Sequence, residues 1–413
     1  MLQLAGITVS LLLGIAADPE PAGSSVFQLK DGDRVVFVGN TLIERAAQYG
    51  LIETLLTLTH PDAKITFRNL GYSGDTVWAE SRAGFDTPTE GFARLKESVN
   101  AARPTLIFVG YGGNEAFTGR AGLPRFVVGI QRLLDVLSAT GARVVLLSPI
   151  RHEDLGRPLP DPVPHNRNLR IYANTMRNIA KQRACGWIEL DPVLSVRAIA
   201  QPSVPLTENG MHLNAYGYWR AAEVIARSDP TALPNWRVTL AADGRVVETS
   251  GTQIRDASHA GEMLKWIALD KTLPSLPNPH AALLSYRSGP PQRELKVTGL
   301  NPGNYRLKID DQVCCTATAN QWNKGVAITA GPEFAATEQL RQAILQKNKL
   351  FFYRWRPQNT TYLFGFRKHE QGNNAAEVVQ FDPLIAQSEK EIVGLRRPVE
   401  HRYELSKQSE VSR

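Results

Sequence analysis

Cysteine is scarce in this chain, with three residues among 413: Cys185, Cys314 and Cys315. An odd number with two adjacent residues fits neither a disulfide framework nor the paired spacing of a zinc site. A buried free thiol is the simple interpretation of Cys185, and the sequence leaves the state of Cys314 and Cys315 open. His369 and Glu370 lack the second spaced histidine of a zinc motif. We therefore predict no metal and no cofactor.

The sequence also lacks a transmembrane-length apolar run and a cluster of basic residues. The net charge is +7 and the pI about 9.3, but no run of five or more basic residues and no nucleic-acid motif occurs. We predict a general basic surface, suited to an acidic substrate, and no nucleic-acid partner. The oligomeric state is not indicated.

The first residues, MLQLAGITVSLLLGIAA, contain an apolar run with the length of a signal-peptide core, and small residues follow. This run is too short to span a bilayer comfortably. We expect residues 1–17 to be a bacterial-type signal peptide, which makes the protein periplasmic or extracellular with no transmembrane segment in the mature chain. A buried N-terminal segment is the alternative, because the basic start of a signal peptide is missing.

Short apolar runs alternate with amphipathic segments between residues 30 and 230. The predicted strands are 34–39, 64–69, 105–110, 143–148 and 186–191, and the clearest helices are 123–140 and 168–184. Strands that are apolar on both faces and separated by helices indicate a parallel sheet covered on both sides. We predict an α/β fold, a three-layer α/β/α sandwich of the flavodoxin-like type, whose reactive groups lie at the carboxyl ends of the strands.

The predicted secondary structure changes after Pro230, from alternating strands and helices to mainly strands. Residues 236–251 predict a hairpin with an Asp-Gly turn, and residues 282–311 predict further antiparallel strands. A helix over 332–349 and an aromatic, charged tail follow. We expect a β-rich region over 231–330, and a helix and tail over 331–413 that pack back on the first domain.

Four short segments stand out. Three of them follow the first three predicted strands, and the fourth precedes the last helix of the α/β domain. They are GNTL (39–42), NLGYSGDT (69–76), GYGGNEAF (110–117) and TENGMHLN (207–214). In order and spacing they resemble the blocks of the SGNH, or GDSL-type, hydrolases: GDS, a glycine block, GxND and DxxH. The resemblance covers about the first 230 residues.

The resemblance implies an esterase with a nucleophile, an oxyanion hole and a histidine base. It places Thr41 at the nucleophile, His212 at the base and Asn209 at the residue that orients the base. It makes Gly74 and Asn114 the oxyanion donors. Backbone N–H of a glycine and a neutral amide are suitable donors for a developing oxyanion.

Other polar residues near the strand ends, or in a tail that folds back over them, are candidates for substrate binding. These are Asn40, Asp75, His152, Arg367 and His369. Aromatic and basic residues of the tail, such as Trp355, either pack the tail on the core or line a groove for an anionic sugar.

Two positions differ from the family pattern, with Thr41 for serine and Asn209 for aspartate. Thr41 to Glu44 also reads as a capping box at a helix start, which needs no chemistry. The leading hypothesis is an exported hydrolase of carbohydrate O-acyl esters, most plausibly acetyl. The alternatives are an impaired scaffold that binds glycan or protein, and an enzyme whose chemistry moved to His369 and Glu370.

Overall fold

A computed structural model describes residues 26–190, 204–231, 235–280, 293–358, 360–370 and 375–408. The predicted signal peptide and residues 282–292 of the predicted antiparallel strands lie outside these ranges. The strands are β1 Arg34–Gly39, β2 Thr66–Gly71, β3 Leu106–Gly110, β4 Arg143–Leu147, β5 Gly186–Ile188, β6 Trp236–Ala241, β7 Val246–Ser250, β8 Thr252–Ala260, β9 Met263–Asp270, β10 Arg293–Thr298, β11 Asn304–Ile309, β12 Gln312–Thr318, β13 Val326–Ala327 and β14 Glu400–Lys407. The helices are α1 Thr41–Tyr49, α2 Leu51–Thr59, α3 Pro88–Ala102, α4 Leu123–Ser138, α5 Val163–Gln182, α6 Ala215–Arg227, α7 Ala319–Lys324, α8 Pro332–Trp355, α9 Thr360–Leu363, α10 Ala375–Val378 and α11 Phe381–Leu395.

The first five strands form one parallel sheet in the order β2-β1-β3-β4-β5. Alternate residues of β1 enter different cores, since successive side chains of a strand point to opposite faces. Val36 and Val38 pack with residues of α3, α4 and α5, whereas Val35 and Phe37 pack with residues of α1, α2 and α6. The predicted α/β sandwich is confirmed.

A β sandwich follows, with sheets in the orders β13-β10-β6-β7 and β12-β11-β14-β9-β8. Trp236, Trp266 and Trp322 are buried in its core. The hairpin β6–β7 is confirmed. The expectation that residues 282–311 form only antiparallel strands is wrong, because β10 pairs with β6 in parallel. Between them the chain makes β8 and β9 in the other sheet, so it can re-enter beside β6 in the same direction.

The last strand, β14, lies between β11 and β9 in the middle of the second sheet. The β sandwich is therefore completed by residues 400–407, beyond the division predicted at residue 330. The chain leaves the sandwich, forms the helical part of the tail and returns to it.

The long helix α8 belongs to the C-terminal extension, the described residues after 231, and joins it to the α/β domain. Its Lys347 Nζ lies 2.7 Å from Glu53 Oε1 of α2 and donates to Phe67 O of β2 at 3.1 Å. Leu340 and Ile344 of α8 share an apolar cluster with Leu58 of α2. No helix in the described ranges is both long and apolar enough to cross a membrane.

Candidate active site

Thr41 is the first residue of α1, separated by one residue from the end of β1, and it does not cap the helix. Asn40 is the N-cap, and its Oδ1 accepts from Leu42 N–H at 3.1 Å. The predicted capping box is wrong, because the Glu44 carboxylate accepts from Ser73 N–H instead of returning to the cap. The Thr41 hydroxyl is thereby free for another contact, and Oγ1 accepts from Gly74 N–H at 3.0 Å.

The loop after β2 brings Gly74 to Thr41. Gly71 ends the strand where α1 crosses it, and a Cβ there would lie 2.2 Å from Glu44 N, so only glycine fits. Gly74 has φ +72°, a left-handed conformation that favours glycine. The sequence thus permits the close approach of the loop backbone to the start of α1.

Asp75, predicted to bind substrate, is fully buried beneath this loop. Arg82 Nε donates to its carboxylate at 2.7 Å and Tyr111 Oη donates at 2.9 Å. Burial raises the pKa of Asp75, although Arg82 opposes the shift. Because a buried, paired carboxylate cannot reach a ligand, the prediction for Asp75 is corrected to a role in holding the loop.

Asn114 lies at the end of the loop after β3 and faces the same cleft. Its Nδ2 donates to Asp75 O at 2.7 Å, and since the amide carries two hydrogens, one remains for a substrate oxygen. The neighbouring Glu115, which the sequence did not single out, accepts from Val77 N–H and Gly112 N–H at 2.8 Å each. Burial raises the pKa of Glu115 to about 7.

His212 also lines the cleft and contacts Asn209. Asn209 Oδ1 accepts from the backbone N–H of Met211 at 3.2 Å and of His212 at 3.0 Å. This fixes the orientation of the amide, so Asn209 Nδ2 faces His212 Nδ1 at 3.2 Å. A donor at that position pairs with an unprotonated Nδ1, which places the proton of the neutral ring on Nε2.

No hydrogen bond joins Thr41 Oγ1 to the His212 ring within the described ranges, although both side chains line one cleft. Burial, and then Arg45, lower the pKa of His212, while Glu208 raises it. The backbone N–H of Glu208 donates to His212 O at 2.9 Å, but the Glu208 carboxylate is bound elsewhere. It accepts from Arg45 at 2.6 Å and from Tyr49 Oη at 2.8 Å.

The cleft lies at the carboxyl ends of β1, β3 and β4. Its lining combines polar groups with apolar and aromatic side chains: Asn40, Thr41, Leu42, Arg45, Gly110, Tyr111, Gly113, Asn114, Phe117, Ser148, Pro149, Ile150, His152, Met211, His212, Leu213 and Tyr218. Asn40 lines the cleft while its Oδ1 serves as a helix cap. Arg45, one helical turn beyond Thr41, was missed, although its i+4 spacing from Thr41 could have indicated it.

His152 belongs to an aromatic wall of the cleft. Its ring centre is 4.4 Å from that of His165, which stacks on Phe117 at 4.1 Å. Burial, and then the neighbouring His165 and His212, lower the pKa of His152 to about 4. Phe117 is 59% exposed, so the wall ends in an open ring face.

The structure does not bring Arg367 and His369 to the cleft. Arg367 pairs with Glu370 in an exposed segment of the tail, and the His369 side chain is 74% exposed. Neither residue lines the cleft, which corrects the prediction that they bind substrate there and removes the support for a catalytic site in the tail. The described residues contain no group of three or more His, Cys, Asp or Glu that could hold a metal ion.

Comparison with known proteins places this site in a family context. Residues 41–220 match the model of the GDSL-like lipase/acylhydrolase family. No curated protein matches the sequence significantly. A gut microbial diltiazem-metabolizing enzyme of solved structure aligns over 94% of this chain and 100% of its own, with a TM-score of 0.73 and 17% identity. An acetylxylan esterase from Geobacillus stearothermophilus covers 49% of this chain and 96% of its own, with a TM-score of 0.40 and 16% identity.

Proposed function

Because residues 41–220 belong to the GDSL-like lipase/acylhydrolase family, a family of ester-bond hydrolases, we propose that this chain is an exported hydrolase of acyl esters on carbohydrate, with acetyl as the acyl group. The observation that carries the proposal is the contact between Gly74 N–H and the Thr41 hydroxyl. This contact supports the proposal, because the Thr41 hydroxyl lies beside a backbone donor in a cleft that His212 and Asn114 also line.

The reaction begins with attack of Thr41 Oγ1 on the ester carbonyl carbon. The Thr41 proton passes to His212, and the carbonyl oxygen becomes an oxyanion. As Oγ1 turns to the substrate, Gly74 N–H is released to this oxyanion, together with Asn114 Nδ2. Thr41 N–H, which has no acceptor within the described ranges, is the third donor.

Collapse of the tetrahedral intermediate breaks the bond to the alcohol oxygen. His212 returns its proton to that oxygen, and the acyl group stays on Thr41. Water then attacks the acyl-enzyme, with His212 again taking and returning a proton, and the acid leaves. Acid, alcohol and free enzyme are the products, with no net proton change at the protein.

The resting His212 is held in the wrong tautomer for the first of these steps. With the proton on Nε2 and the Asn209 amide on Nδ1, the ring must exchange its proton position before it accepts from Thr41. We therefore propose slow turnover compared with relatives that carry aspartate here. In a well-studied protease, asparagine in place of the orienting aspartate lowers kcat roughly 10⁴-fold.

The contact between Asn209 Nδ2 and His212 Nδ1 favours a second candidate function. This function is a scaffold that binds glycan or a partner protein in the cleft without catalysis. With its ring proton on Nε2, His212 can donate a hydrogen bond to a bound ligand. This candidate predicts ligand binding that survives Thr41→Ala, with no ester turnover above background.

One set of assays separates the two functions. Acetylated xylo- and gluco-oligosaccharides, 4-nitrophenyl acetate and diltiazem are offered to purified wild type, Thr41→Ala, Thr41→Ser and His212→Ala. The hydrolase proposal requires acetate release by wild type, its retention or increase in Thr41→Ser, and its loss in the two alanine variants. Equal release by Thr41→Ala would overturn attack by Thr41.

Export is tested separately, on the full chain expressed in a bacterial host. The apolar start of the sequence supports the proposal. N-terminal sequencing of the periplasmic or secreted protein is expected to find a chain that begins at about residue 17 or 18. Recovery of the full-length chain only from the cytoplasm would contradict export.

A further inference from the structure

The end of helix α8 reaches the loop that carries Gly74. Arg356, directly after α8, has its guanidinium carbon 3.5 Å from the centre of the Tyr72 ring, a close cation–π contact. Its Nη1 also lies 3.2 Å from Glu44 Oε2 of α1. Arg356, a side chain of the C-terminal extension, therefore contacts both Tyr72 of the loop and Glu44 of α1.

Glu44 links this contact to the nucleophile. Its Oε2 accepts from Ser73 N–H, and the next amide of the chain, Gly74 N–H, donates to Thr41 Oγ1. Two successive amides of the loop are thus bound by two side chains of α1. Arg356 neutralises the carboxylate that binds the first of them.

Tyr72 is held from a second direction by Arg82, whose guanidinium carbon lies 5.3 Å from the ring centre. Arg82 donates to Asp75 and to Leu70 O, on either side of Tyr72 along the chain. It also lies 6.0 Å from the ring of Trp355 at the end of α8. The loop is enclosed between a buried arginine of the α/β domain and the end of the extension.

We propose that Arg356 is a positioning residue, through which the C-terminal extension fixes the oxyanion-binding loop in its active geometry. The inference deepens the proposed function and rests on it. The functional unit is then the α/β domain together with the extension. The Arg356 and Glu44 side chains are only 26% and 17% exposed, so solvent screens this pair less than a surface pair.

The test compares Arg356→Ala with Arg356→Lys and with Arg354→Ala in the full-length protein. Arg354 is a matched control two residues away, since its only ion pair among the described residues is with Asp382 of α11, at 2.9 Å. Amide hydrogen exchange over residues 70–77 is measured by mass spectrometry, which requires no catalytic activity. Acetyl-ester kinetics are measured on the same samples.

Arg356→Ala is expected to speed exchange in 70–77 while segments of β1 and β3 exchange as in wild type. It is also expected to lower kcat about tenfold to a hundredfold with little change in KM, because misplacement by an ångström can cost that much. Arg356→Lys keeps the charge and is expected to restore part of both effects. Arg354→Ala is expected to match wild type in both measurements.

Unchanged exchange at 70–77 in Arg356→Ala would overturn the inference, and so would faster exchange with an unchanged kcat. A rise in exchange throughout the α/β domain would also overturn it, since it would show a general loss of stability. Absence of turnover in wild type would reject the proposed function, and the exchange data would still show whether Arg356 fixes the loop.

Discussion

The contact between Asn209 and His212 predicts that a single change, Asn209→Asp, increases activity. Asn209 Oδ1 accepts from the backbone N–H of Met211 and His212, and one carboxylate oxygen can keep both bonds. The other oxygen then takes the place of Nδ2, 3.2 Å from His212 Nδ1. An acceptor there moves the ring proton to Nδ1 and leaves Nε2 free to take the Thr41 proton.

The magnitude follows from two effects, the correct tautomer and charge stabilisation of the imidazolium. Both are lost together when the orienting aspartate of a well-studied protease becomes asparagine, at a cost of roughly 10⁴ in kcat. Asn209 is exposed here, so water screens the charge effect and the gain is smaller. We expect kcat to rise about a hundredfold, equivalent to about 2.7 kcal/mol of barrier.

The assay is the pH dependence of 4-nitrophenyl acetate hydrolysis by wild type, Asn209→Asp and the double variant Asn209→Asp/His212→Ala. In wild type the pKa of His212 is lowered from 6.5, so the neutral base persists to lower pH and the acid limb of kcat/KM lies below 6.5. The new carboxylate favours the imidazolium and raises that pKa, which moves the limb to higher pH.

Two results would contradict the predicted effect of Asn209→Asp on the His212 tautomer. A kcat for Asn209→Asp within about threefold of wild type would show that the tautomer of His212 does not limit the rate. A gain that survives in the double variant would show that the added carboxylate acts by another route. Nitrogen NMR of the ring is expected to show the Nε2–H form in wild type and the Nδ1–H form in Asn209→Asp.

Three further substitutions test the oxyanion hole, the aromatic wall of the cleft and the packing of α8 on the α/β domain. Asn114→Ala removes an oxyanion donor and should lower kcat about 10²–10³-fold at similar KM, and an unchanged kcat would exclude Asn114 from the oxyanion hole. Phe117→Ala removes the open ring of the cleft wall and should raise KM for acetylated oligosaccharides about three- to tenfold. Phe85→Ala makes the same substitution at an exposed position outside the cleft. It should leave KM unchanged, and equal effects of the two substitutions would refute stacking. Glu53→Gln leaves Lys347 buried without its carboxylate and should lower the free energy of unfolding in urea by about 3–5 kcal/mol, whereas a loss under about 1 kcal/mol would show that the pair does not join α8 to the domain.

The α/β domain could be predicted from sequence because its strands are apolar on both faces and its helices are amphipathic. Those signals are local, and they place β1, β3 and β4 within a residue or two of the observed bounds. The parallel pairing of β10 with β6 and the insertion of β14 between β11 and β9 were not predictable in this way. Pairing partners far apart in sequence leave no periodic signal in either strand.

The blocks around Thr41, Gly74, Asn114 and His212 were visible in the sequence because each follows a strand or precedes a helix. Their hydrogen bonds were not visible. The sequence indicated a capping box from Thr41 to Glu44, whereas in the structure Asn40 caps α1 and Glu44 binds the Ser73 amide.

Long-range charge pairing was the least predictable feature of the site. Asp75 was expected at the substrate because it follows the glycine block, but Arg82 and Tyr111 bury it. Arg356 lies more than 300 positions beyond Thr41 in the chain, and its contact with Tyr72 depends on how α8 packs across the domain.

Covalent labelling tests whether Thr41 is the nucleophile. Wild type, Thr41→Ala and Asn209→Asp are incubated with a fluorophosphonate, and the modified residue is located by peptide mass spectrometry. We expect slow labelling of wild type at Thr41, faster labelling of Asn209→Asp at the same residue and no adduct on Thr41→Ala. Absence of any adduct at Thr41 in both wild type and Asn209→Asp, or an adduct elsewhere in the cleft that persists in Thr41→Ala, would contradict it.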